Sequence, residues 1–131
     1  MGEPSWSYWV DEAQAHAMAG RCYLRLQDWE RARGHLSDAL RLQTDAFARE
    51  GVTRHIRLAQ IYLRQDWPDL DQALVHGGKA VDALSGAVNS PRIVKRLAPL
   101  INGLAPFQKR PDVTDFTARA TILLTPTNPQ T

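Results

Sequence analysis

The chain repeats itself, and that feature limits its fold more than any other. Tyr23-Leu24-Arg25-Leu26-Gln27-Asp28-Trp29 returns as Tyr62-Leu63-Arg64-Gln65-Asp66-Trp67, with one residue deleted. Around this anchor Gly20 aligns with Ala59, Ala32 with Ala73, and Ala39-Leu40 with Ala80-Val81, after an insertion near Pro68-Asp69. The period is about 39 to 41 residues, the length of a helix, a turn and a second helix. Small residues at fixed places in both helices let the two backbones approach closely, and the tyrosine fills the space between adjacent units. One such hairpin cannot bury its apolar face alone, so about three must stack. A chain of 131 residues holds that many and makes one domain.

Punctuation and periodicity place the elements. No proline occurs between Pro4 and Pro68, and this stretch is rich in Ala, Leu, Arg, Glu and Gln, which lose little rotamer freedom in a helix. Ser5 or Ser7 caps a first helix running to about Leu26, with Trp9, Ala13, Ala17, Gly20 and Leu24 at three- and four-residue steps. Asp28 opens a second helix, from Trp29 or Glu30 to Leu42, carrying Ala32, Leu36, Ala39 and Leu40. Thr44 or Asp45 starts a third, to about Arg64, with Val52, Ile56, Ala59 and Leu63 on one face. Gly51 interrupts it at a cost of ~1 kcal/mol relative to alanine. A fourth helix, Asp69 to Leu84, follows Trp67-Pro68, and a loop spans Ser85 to Ser90. A fifth would run from Pro91 to about Leu104, kinked at Pro99, and a sixth from Pro111 to Leu124. Alternation of period two is almost absent. The expectation is an all-α fold of three stacked antiparallel helical hairpins, one domain over residues 1–124. Its repeats cover about 7–44, 45–88 and 90–124, and residues 125–131 form a flexible tail.

At these residues the chain resembles the tetratricopeptide repeat. The first unit has Gly20, Tyr23, Ala32, Leu36 and Ala39 at the family's spacing, and the second has Ala59, Tyr62, Ala73, Gly77 and Ala80. The second departs at Gly77 and carries a two-residue insertion. His16 and His55 stand where the family has an early tryptophan, and Thr44 and Ser85 where it has a closing proline. The chain also resembles the C-terminal repeat region of actinobacterial regulators whose N-terminal part is a helix-turn-helix domain. Trp9 with Asp11-Glu12-Ala13, Arg21-Cys22-Tyr23-Leu24, Ser90-Pro91-Arg92-Ile93-Val94, Leu104-Ala105-Pro106, Pro111-Asp112-Val113 and Asp115-Phe116 carry that likeness, over roughly residues 6–124.

The resemblance implies a concave groove lined by the first helix of each unit. Projected onto this chain, the groove positions are Gln14, Met18, Arg21 and Arg25, then Thr53, Arg57, Gln60 and Arg64. Arginine's planar fork suits a carboxylate or phosphate, so the expected ligand is an extended acidic protein segment or a C-terminal carboxylate. The plain alternative is a solvated face whose arginines pair with Glu or Asp of neighbouring helices. The lysine- and asparagine-based carboxylate clamp of the family's chaperone-binding members is not reproduced.

Other chemistry finds little footing. His16 and His55 are repeat equivalents, as are His35 and His76, which spreads the four imidazoles along the stack. No pair is spaced three or four residues apart on one helix, so no metal site is expected. Cys22, the single cysteine, lies in an apolar-periodic segment where a buried, inert thiol is the default. Asp11 and Glu12 are adjacent, so their side chains diverge on a helix. There is no Gly-x-Ser-x-Gly elbow and no glycine-rich phosphate loop. No enzyme, catalytic residue or cofactor is expected.

Charge is uneven although the net formal charge is only +2. Arg92, Lys95, Arg96, Lys109 and Arg110 occur in a stretch without an acid, while residues 1–16 hold Glu3, Asp11 and Glu12 and no Lys or Arg. Ends of opposite sign favour self-association, and a homodimer is one expectation. Without an aromatic platform or a recognition-helix motif, this region is not expected to touch nucleic acid. Trp6, Tyr8 and Trp9 read as a cap on the first unit or as an interface. An aromatic start is what the C-terminal piece of something longer, or half of an oligomer, would show. No segment has the roughly 18 apolar residues of a membrane span, and no secretory signal is evident, so the cytoplasm is expected. The expectation is a non-catalytic binding module, the effector or sensor part of a bacterial transcriptional regulator. A free-standing adaptor that holds partner proteins together is the alternative.

Overall fold

The computed structural model describes residues 5–42, 48–86 and 90–125, with the side chains of 5–11 and 48 excepted. These residues are all-α: α1 (Ser5–Arg25), α2 (Trp29–Leu42), α3 (Ala48–Arg64), α4 (Leu70–Ser85), α5 (Pro91–Val94), α6 (Leu97–Leu104) and α7 (Pro111–Leu124), with a 3-10 turn at Ala105–Phe107. The expected starts at Thr44 or Asp45 and the expected tail beyond Thr125 lie outside the described residues.

The strongest packing joins α1 to α2 and α3 to α4, each pair antiparallel across a short turn. Gln27 takes φ 59 in the first turn, the left-handed conformation that reverses the chain there. Asp69 caps α4, its carboxylate accepting from the Gln72 amide at 3.0 Å. A Cβ on Gly20 would lie 2.7 Å from Leu36 Cγ, so the missing side chain is what lets α1 and α2 close up.

Two apolar clusters hold the helices together. Ala32 and Leu36 of α2 meet Leu58 and Ile61 of α3, with Tyr23, Leu24, Trp29, Leu40 and Tyr62 packed around them. A larger cluster gathers Val52, Ile56, Ala59 and Leu63 of α3, Ala73, Ala80, Val81 and Leu84 of α4, and Leu97, Leu100, Leu104, Val113 and Phe116 from α6 and α7. Phe116 explains the second unit's departure at Gly77. A Cβ there would sit 2.9 Å from the Phe116 ring, so glycine opens the slot that α7 fills.

The fifth helix differs from expectation. It breaks at Lys95-Arg96, not at Pro99, giving α5 and α6. Pro99 then falls in the first turn of α6, where its missing N–H leaves no helical bond unmade. Ser90 caps α5 as expected, its hydroxyl accepting from the Ile93 amide at 3.4 Å.

Candidate functional site

The face of α3 opposite the larger core carries Glu50, Thr53, Arg54 and Arg57 at three- and four-residue steps, which aligns them along one helix side. With Gln14, Ala17 and Met18 of α1 they line a cavity of about 250 Å³. A second cavity of about 390 Å³ adjoins it, sharing Glu50 and Thr53 and reaching Arg49, Ser90, Arg92, Ile93 and Arg96. Together they form a trough along α1, α3 and α5. Four of the sequence-predicted groove residues, Gln14, Met18, Thr53 and Arg57, line it directly.

Electrostatically, Arg57 is the centre of this trough. It is half-buried, and its pKa is lowered to about 10, first by burial and then by repulsion from Arg96, Arg21, Arg54 and Arg25. Arg21 and Arg25 thus belong to the same positive field. Arg54 is 4% exposed and donates to the Ala39 carbonyl of α2 at 3.4 Å, and burial pushes its pKa down against the opposing pull of Glu50. Among the described residues Arg21, Arg25, Arg57 and Arg96 make no ion pair, and Glu50 is the one carboxylate lining either cavity.

The other predicted groove positions lie elsewhere. Arg64 stacks over the Trp29 ring, 5.2 Å from its centroid, and Gln60 lines neither cavity. The side chains of Trp6, Tyr8 and Trp9 lie outside the described residues. Sequence reasoning missed Arg49, Glu50, Arg54, Arg92 and Arg96. The spacing of Glu50, Thr53, Arg54 and Arg57 was a readable signal, as was the acid-free stretch containing Arg92 and Arg96.

Two readings are corrected. Cys22 is exposed, not buried. The histidines are not spread out singly: His16 and His35 bring Nδ1 to Nδ1 at 2.9 Å, and His55 and His76 do the same at 3.0 Å. In each pair the ring centroids are 5.2 Å apart, so the two nitrogens point nearly at one another along the line of centres. In a neutral pair of that geometry one ring donates its Nδ1–H to the bare Nδ1 of the other, whose own hydrogen is on Nε2. Tyr23 stacks on His35 and Tyr62 on His76, nearly parallel in both units. Nitrogens facing in line at this distance leave no room for an ion between them, since metal–nitrogen bonds are about 2 Å long. Among the described residues no group of three or more His, Cys, Asp or Glu could hold a metal. The signal in the sequence was the near-equal offset from His16 to His35 and from His55 to His76.

A further cleft of about 820 Å³ opens where the two hairpin turns meet, lined by Trp29, Glu30, Arg33, Tyr62, Asp66 and Trp67 among others. Arg33 donates to Gln65 Oε1 at 2.6 Å and lies over the Tyr62 ring, tying α2 to the second turn. Trp67 at the rim is 88% exposed and Leu26 73%. No helix of the described residues is long and apolar enough to cross a membrane. No protein-family model, curated protein or solved structure matches the chain.

Proposed function

We propose that the chain is a non-catalytic binding module of tetratricopeptide type, three stacked helical hairpins that receive an anionic partner segment in the trough of α1, α3 and α5. In this reading it is the effector or sensor part of a cytoplasmic, actinobacterial transcriptional regulator, needs no cofactor, and alters the orientation or self-association of an attached domain on binding. The observation that carries the reading is the set Arg21, Arg25, Arg57 and Arg96, which make no ion pair among the described residues and gather around the trough. Half-burying a guanidinium among like charges costs free energy that an incoming anion recovers. The test is fluorescence anisotropy of a labelled decaglutamate peptide. Binding should fall with salt and weaken at least about tenfold in an Arg21→Gln, Arg57→Gln double variant. Equal binding by that variant sinks the reading.

The adaptor alternative draws on the second surface, the cleft with the exposed Trp67 and Leu26. Two surfaces on one small domain suit a protein that holds two partners. An immunoblot of the source cells against this domain separates the two. A band well above the mass of 131 residues favours the regulator, and a band at that mass the adaptor.

A further inference from the structure

Resting on the trough reading above, we infer that the anion received around Arg57 is a phosphoryl group, carried on a side chain of an extended partner segment. The arrangement calls for a multiply charged ligand. Arg21, Arg25, Arg57 and Arg96, which make no ion pair among the described residues, act on one region from three separate parts of the chain, and among the described residues Glu50 is the single carboxylate lining it. A glutamate or C-terminal carboxylate brings one negative charge and two oxygens. A phosphomonoester brings a charge of about −1.5 to −2 at neutral pH and three strong acceptor oxygens. Guanidinium forks bind such oxygens in pairs, so Arg57 and Arg96, which line the two adjoining cavities, engage one phosphoryl group together, with Arg21 and Arg25 adding to its field.

The remaining lining fits a protein segment better than a nucleic acid. The two adjoining cavities offer Gln14, Thr53 and Ser90 as neutral hydrogen-bonding groups, and Met18 and Ile93 as apolar ones. Among the described residues no aromatic side chain lines either cavity, so none of them offers a platform on which a base would stack. Arg49 and Arg92, at the far end of the second cavity, give a flanking acidic residue of the same segment its own contact.

The experiment compares three labelled synthetic decapeptides with the same Gly/Ala/Glu carrier and a central phosphoserine, glutamate or serine. Anisotropy titrations at fixed ionic strength should give the phosphoserine peptide at least about tenfold tighter binding than the glutamate one. Arg57→Gln and, separately, the exposed-site variant Arg21→Gln should erase most of that preference while circular dichroism stays unchanged. Arg57→Lys keeps the charge but loses the fork, and should recover only part of it. Equal binding of the phosphoserine and glutamate peptides overturns the phosphoryl inference and leaves the anionic trough standing. No binding by any of the three overturns both. A single-stranded oligonucleotide of matched charge binding tighter than the phosphopeptide overturns it in favour of nucleic acid.

Discussion

Gly77 and Gly34 are both helical glycines, and their surroundings give them opposite roles. Gly34 has nothing within 4 Å of where a Cβ would stand, so Gly34→Ala should stabilise the protein by roughly 0.5–1 kcal/mol through α2's intrinsic helicity. Gly77→Ala pushes a methyl into the Phe116 ring and should destabilise by about 1–3 kcal/mol. Thermal melts of the two variants should move in opposite directions. The histidine pairs belong to this scale as well. His55 is held neutral, its pKa lowered to about 4 by burial, by His76 and by Lys79, and His76 is also lowered, by burial and Lys79. The unfolded chain takes up these protons near pH 6.5, before the folded one does. This stability is therefore full above about pH 6.5 and is lost as pH falls toward 4. The loss should be on the order of 1–2 kcal/mol after solvent screening. Denaturant midpoints measured from pH 7.5 to 4 check this, and His55→Gln should flatten the curve.

At the scale of elements, helix boundaries were legible wherever a cap or a proline wrote them. Trp29 to Leu42, the end at Arg64 and Pro111 to Leu124 all emerge at the expected places. Asp69→Ala should cost α4 about 1 kcal/mol by freeing the Gln72 amide, and a urea titration will read it. The break between α5 and α6 was not legible. Pro99 was the visible helix breaker, but a proline in a first turn breaks nothing. The interruption falls instead at Lys95-Arg96, between Ile93 and Leu97, which are both buried in the core. Pro99→Ala should leave helical content unchanged by circular dichroism, where relief of a mid-helix kink would raise it. The pairing of histidines was hidden for a related reason. Repeat alignment relates equivalent residues in successive units, whereas His16–His35 and His55–His76 are inequivalent residues on facing helices of one unit.

For the whole molecule, the two apolar clusters meet at Tyr62, which packs against both. Shared packing of that kind couples the hairpins, so unfolding should be one transition by near- and far-ultraviolet dichroism alike. Leu36→Ala, in the smaller cluster, should cost the roughly 2–5 kcal/mol of stability typical of a buried leucine and lower the midpoint without splitting the transition. The all-helical class, the hairpin unit and most core positions of the first four helices follow from the sequence by itself, because periodicity and capping act within a few residues and are written in linear order. The tertiary structure alone decided which arginines share a field, which histidines face one another, and why position 77 is glycine. Each of these depends on side chains brought together across helices, where repulsion, desolvation and close packing act over a few ångströms of space and not along the chain.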